Sequence, residues 1–190
     1  MTSTDTGRQD TGTVEWAGGN SMYRPCSVRG ARHWGPDGAA GLLAWTKGRD
    51  GRRYVLLAKR SRYVQQGSTW AFPGGAVDQG ESPVEAAVRE LDEEVAGAPD
   101  LMNLTAVREG PCPHGCGWAY TAFVAYAENA ADPAHGRLPN VPRVAVAAGE
   151  SAWETDVVAW IPLDYVQELP LHPAVAASWP ALREIIEQAG

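Results

Sequence analysis

The chain has 190 residues and a mass of 20.3 kDa, long enough to bury one substantial core and short for two. With 44% hydrophobic and 21% charged residues, it has the composition of a packed globular protein rather than a disordered one. A formal net charge of -7 and a pI near 5.1 exclude a general binder of nucleic-acid polymers, which needs surplus Lys and Arg.

No run of about 18 apolar residues is present to span a bilayer. The N-terminal MTSTDTGRQDTGTVEW also lacks the apolar stretch of a secretory signal. A cytoplasmic protein without membrane association is expected. Cys26, Cys112 and Cys116 lack the dense, even spacing of a disulfide scaffold, so free thiols are expected.

Residues 1–35 are rich in Thr, Ser, Gly, Asp and Arg with no apolar period, and are expected to form an irregular or mobile arm ahead of one domain over residues 36–190. GAAGLLAWT and YVLLAKRS read as two strands of a hairpin turning at Asp50-Gly51. After a Pro73-Gly74-Gly75 turn, Val84, Val88, Leu91 and Val95 recur at helical spacing, with Pro83 near the start and Gly97 past the end. LTAVREG and GWAYTAFVAYA read as strands flanking the loop PCPHGC. Residues 129–149 are Pro- and Ala-rich and read as a long loop. VVAWIPLDYV is a late strand running into a turn, and a closing helix starts between Pro173 and Pro180, with Leu182, Ile185 and Ile186 on its buried side.

The helix after the Pro-Gly-Gly turn is crowded with acid. At about 100° per residue, Glu90, Glu93 and Glu94 fall within one arc turned away from the valine stripe. Glu90 and Glu94 form a like-charge i, i+4 pair, and no Lys or Arg stands four residues from either. Carboxylates so placed are natural ligands for Mg2+ or Mn2+, and the glycines let bare backbone approach such a site. A solvated acidic surface is the competing reading.

Spacing decides between them. Gly75, Glu81, Arg89, Glu90, Leu91, Glu93 and Glu94 match the defining positions of the box of the Nudix hydrolases, and the chain resembles that family. Two positions depart: Ala96 replaces the box glycine, and Gly97 stands where an aliphatic residue is usual. The resemblance implies an α+β Nudix fold, a mixed β-sheet sandwiched between α-helices. It implies Mg2+ (or Mn2+) on Glu93 and Glu94, joined by Glu90 and the carbonyl of Gly74, with Arg89 and Glu81 bracing them. The implied reaction is attack of water on a diphosphate linkage in a small nucleoside diphosphate derivative, with Glu90 or Glu94 as general base in competition with Glu154 and Glu150 on a later segment; the box is favoured. A homodimer is compatible with the resemblance. The alternative is a nucleotide-binding sensor that does not cleave, against which the intact Arg89, Glu90, Glu93 and Glu94 argue.

Outside the box, Lys59, Arg60 and Arg62 are placed to meet a substrate phosphate, with a solvated strand edge as the rival. Trp70, Trp118, Tyr120 and Trp160 fall in strand-like segments and are expected mostly in the core. Pro113 is a weak mark of ADP-ribose specificity. Cys112, His114 and Cys116 alternate in PCPHGC, but a zinc site would need Cys26 as its fourth ligand, so the loop is expected to be a turn without metal.

Overall fold

The structure, a computed structural model, describes residues 23–95, 98–128, 143–144 and 154–189. Two short strands open it, β1 (Tyr23–Pro25) and β2 (Arg32–Trp34), paired antiparallel. They fall within the segment expected to be irregular; residues 1–22 lie outside the described residues.

The remaining strands, β3 (Ala39–Lys47), β4 (Arg53–Arg60), β5 (Trp70–Ala71), β6 (Gly74–Ala76), β7 (Leu101–Pro111), β8 (Ala119–Ala127), β9 (Arg143–Val144) and β10 (Thr155–Pro162), build one mixed sheet. Its order is β7-β8-β3-β4-β10-β9, with β5 on β4 and β6 on β3. Among the described strands only β3 and β8 pair in parallel, Leu42 opposite Phe123. The β3–β4 hairpin turns at Asp50-Gly51, with Gly51 at φ 78°. β9 lies within the segment read as a long loop and pairs with β10; most of that segment is outside the described residues.

Alternation along the strands produces the two layers. Ala40, Leu42 and Ala44 of β3 face α1 (Pro83–Glu94), while Leu43 and Trp45 face α2 (Pro173–Gln188). The α1 seam is centred on Ala86, Ala87, Leu91 and Val95, with Val84 and Val88 at its margin. Alanines on helix and strand alike let α1 lie close to the sheet, which the valine stripe did not suggest. On the other face, Val175, Trp179, Leu182 and Ile186 pack on Val55, Leu57 and Ile161. The helix carries Pro180 in its interior and starts at Pro173, capped by His172. Among the described residues no helix is long and apolar enough to cross a membrane.

Pro73-Gly74-Gly75 is more than a turn: Gly74–Ala76 is strand β6, paired with β3 through Gly41↔Gly74 and Ala40↔Gly75. A Cβ on Gly74 would stand 2.6 Å from the Ala40 carbonyl oxygen and from the Gly41 Cα. That contact is tighter than side chains allow, so the strand can pair here only as glycine.

Candidate active site

α1 starts where its sequence directs. Ser82 caps the Glu85 amide, Glu85 reaches back to the Ser82 amide at 2.8 Å, and Pro83 occupies the first turn, where no N–H is needed. The far end violates local rules. Its last turn holds acids and no basic residue, although the helix dipole favours cations there. Conflicts of this kind concentrate at functional sites.

Arg89 organises the cluster. Its Nε and Nη2 donate to the two carboxylate oxygens of Glu81 at 2.9 and 3.0 Å, a fork a lysine cannot reproduce. Nη2 also donates to the Ala76 carbonyl at 2.9 Å and Nη1 to Glu90 Oε1 at 2.9 Å, while Glu93 stands at 3.4 Å. One guanidinium therefore ties β6, the loop after it and the acidic face of α1.

Glu94 is held from two other elements: its Oε1 accepts the Gly74 amide at 3.1 Å, and its Oε2 accepts the Thr155 hydroxyl at 3.2 Å. Burial pushes the Glu94 carboxyl up to about 7; the Gly74 hydrogen bond opposes this and the charge of Glu90 adds to it. Burial also raises Glu90, against the pull of Arg89. Gly75 faces this second carboxylate. A Cβ there would lie 2.3 Å from Glu90 Oε1, so the missing side chain is what leaves room for the acid.

The other site residues expected from sequence divide. Glu154 opens the final strand segment, its carbonyl accepting the Ser61 amide at 2.7 Å, and its charge acts on Glu90. Arg60 acts electrostatically on Glu94. Arg62 instead lies over the Tyr63 ring, 4.7 Å from its centroid, on an exposed loop. Glu150, Ala96 and Gly97 are outside the described residues. Sequence reasoning missed two members. Thr155 buries its hydroxyl against Glu94, and Tyr120, read as core, faces the acids with its phenol held protonated by burial and then by Glu94 and Glu90. Neither is signalled by spacing, because both arrive from strands distant in sequence.

A divalent cation suits this arrangement. Glu81, Glu90 and Glu93 share one guanidinium already committed to Glu81, and Glu94 is held by two neutral donors beside Glu90, which leaves carboxylate charge in excess.

Comparison with known proteins agrees with the geometry. The profile of the NUDIX domain matches residues 37–185. A putative 8-oxo-dGTP diphosphatase 3 of Mycobacterium tuberculosis is 36% identical over 160 residues, covering 83% of this chain and 66% of the relative. A nucleoside triphosphate pyrophosphatase/Nudix hydrolase fusion protein of Bifidobacterium longum is 34% identical over 80% of this chain and 28% of its own length. The chain thus spans less than two thirds of these relatives. The crystal structure of a Nudix hydrolase from M. smegmatis, RenU, superposes with a TM-score of 0.68 at 33% identity, covering 90% of this chain and 97% of that one. With the box residues clustered on β6, α1 and the loop between them and the domain profile covering most of the sequence, the chain belongs to the Nudix hydrolase family.

Proposed function

We propose that this chain is a Mg2+-dependent diphosphatase that cleaves a diphosphate linkage in a small nucleoside diphosphate derivative in the cytoplasm, with Mn2+ as a substitute metal. The observation that carries the reading is the pair of buried carboxylates Glu90 and Glu94, side by side at the end of α1, with Glu90 sharing Arg89 with Glu81 and Glu94 held by two neutral donors. Glu90, Glu93, Glu94 and the carbonyl of Gly74 are the groups assigned to the metal. When bound, the metal neutralises diphosphate charge and makes a coordinated water more acidic.

The protein's own groups then have defined tasks. Arg89 and Glu81 fix the rotamer of Glu90, and the Gly74 amide and Thr155 hydroxyl fix Glu94. A box carboxylate takes the proton of the attacking water, and Glu94 is oriented for it by the Gly74 amide and the Thr155 hydroxyl. Arg60, at the end of β4, is assigned to a substrate phosphate. The relatives' names place 8-oxo-dGTP first among substrates to try.

The test is a panel of 8-oxo-dGTP, nucleoside triphosphates, ADP-ribose, NADH, dinucleoside polyphosphates and coenzyme A, with Mg2+ and with excess chelator. Metal-dependent turnover of at least one is expected. Turnover that survives the chelator sinks the metal assignment, and tight binding without turnover on any member makes the chain a sensor.

A further inference from the structure

The loop PCPHGC acquires a partner that the sequence did not reveal. Cys26 follows β1, and its amide donates to the Ala31 carbonyl at 2.9 Å, closing a tight turn in which Gly30 takes φ 84°. That turn brings His33 of β2 back beside it. Across from it, the Cys112 amide donates to Trp118 at 2.8 Å, and Gly115 and Gly117, at φ 68° and 78°, fold the second turn around Cys116. The ligand atoms of Cys26, His33, Cys112 and Cys116 all lie within 4.8 Å of one another.

The distances discriminate between chemistries. Cys26 Sγ and Cys112 Sγ are 3.6 Å apart. A disulfide needs about 2.05 Å, whereas two thiolates at about 2.3 Å from a tetrahedral zinc stand about 3.8 Å apart. All three cysteines are free.

Independent signs point the same way. His33 Nε2 is buried with no hydrogen-bond partner. Its ring is stacked on Trp118, centroids 4.6 Å apart and planes 11° apart, and the Trp118 indole is anchored by the Trp34 and Gly35 carbonyls at 2.8 and 3.0 Å. An imidazole whose orientation is fixed by stacking and whose buried nitrogen is turned among three sulfurs is a ligand in waiting. The sulfurs also accept backbone amides, Cys26 from Val28, Cys112 from His114 and Cys116 from Trp118, so both turns wrap their N–H groups around the cluster.

We propose that Cys26, His33, Cys112 and Cys116 form a structural zinc site that staples the β1–β2 hairpin to the β7–β8 turn. The set is closed, with four protein ligands and no position for substrate, so the ion stabilises rather than catalyses. His114, which the sequence offered as the histidine, is not a member; only its carbonyl is engaged, by the Ser27 hydroxyl at 2.8 Å. The staple lies where Gly35 packs on Ala76, whose carbonyl receives Arg89. This assignment is independent of the proposed reaction.

The test is elemental analysis of untagged, reduced protein, with Co2+ replacing zinc as a spectroscopic probe. About one zinc per chain is expected, together with the visible bands and thiolate charge transfer of tetrahedral Co2+. Cys112→Ser and His33→Ala should lose the metal and expose the hairpin to protease, whereas His114→Ala should keep it. His33→Cys, which restores a fourth ligand, should retain zinc and fold even if the alanine variant does not. Reduced wild-type protein that holds no zinc and gives no tetrahedral Co2+ spectrum overturns the site, as does His33→Ala binding zinc with unchanged affinity.

Discussion

The Thr155 hydroxyl donates to Glu94 Oε2 at 3.2 Å across 61 residues of sequence. Because the Gly74 amide holds the other oxygen, the last residue of α1 is gripped by β10 and β6 at once. Both grips are hydrogen bonds from neutral groups, so they orient the carboxylate without cancelling its charge. The uncancelled charge has consequences for stability as well as for reaction.

In metal-free protein, Glu94 holds its proton more tightly when folded, near 7, than the ordinary 4.5 it has when unfolded. Its contribution to stability is therefore full below about pH 4.5, declines as pH rises, and is lost above about 7. The displacement corresponds to about 3 kcal/mol, and to a fall in melting temperature of about 6–12 °C. Thermal melts across this range should show it, and Glu94→Gln should remove it, leaving a variant more stable than wild type at pH 8. Mg2+ should raise the wild-type melting temperature at pH 8 and not at pH 5. An unchanged pH profile in Glu94→Gln would falsify the assignment of this slope to Glu94.

The two glycines of β6 should separate structure from chemistry. Gly74→Ala sets a Cβ against strand backbone at 2.6 Å, so the β3–β6 pairing must open and stability should fall by about 1–3 kcal/mol. Gly75→Ala meets only the Glu90 carboxylate, the far end of a movable side chain. It should melt near wild type yet lose roughly a hundredfold in kcat, about 2.7 kcal/mol. Denaturant midpoints and steady-state rates on the best substrate of the panel check both; a Gly75→Ala enzyme with wild-type turnover would remove Glu90 from the chemistry.

Arg89→Lys keeps the charge and loses the fork onto Glu81. Loss of activity by about 10–100-fold is expected, the range typical of groups that orient metal ligands. Glu81→Gln should act through the same contact, so the double variant should be little worse than either single one. Additive losses would mean that Arg89 and Glu81 work separately.

Much of the site was legible because it is local. From Gly75 to Glu94 the glycine, the acids and the arginine lie on one strand, one short loop and one helix, and helical periodicity places Glu90, Glu93 and Glu94 on a common face. The β3–β4 hairpin, β7, β8, β10 and α2 were legible for the same reason, each carrying its own period and turn residues. What failed was long-range. Nothing near Thr155 or Tyr120 announces Glu94, and nothing in PCPHGC announces His33, 79 positions before Cys112 in the chain. β6 was hidden because two glycines read as a turn until the close approach of β3 shows why they are strand residues.

The identity of the base is the remaining choice, and Glu154 is the rival to the box. Its backbone is pinned by the Ser61 amide at 2.7 Å next to Thr155, and its charge reaches Glu90. A box base is expected, because Glu94 is oriented by hydrogen bonds to both of its carboxylate oxygens, whereas Glu154 acquires no comparable grip on its carboxylate among the described residues. Glu154→Gln should therefore keep turnover within about tenfold of wild type, while Glu94→Gln and Glu93→Gln each lose roughly a hundredfold or more in kcat. Single-turnover rates across pH sharpen the comparison. The limb controlled by the base should persist in Glu154→Gln and vanish in Glu94→Gln. If Glu154→Gln instead abolishes that limb and loses a hundredfold, the base lies at the start of β10 and Glu94 is left with the metal alone.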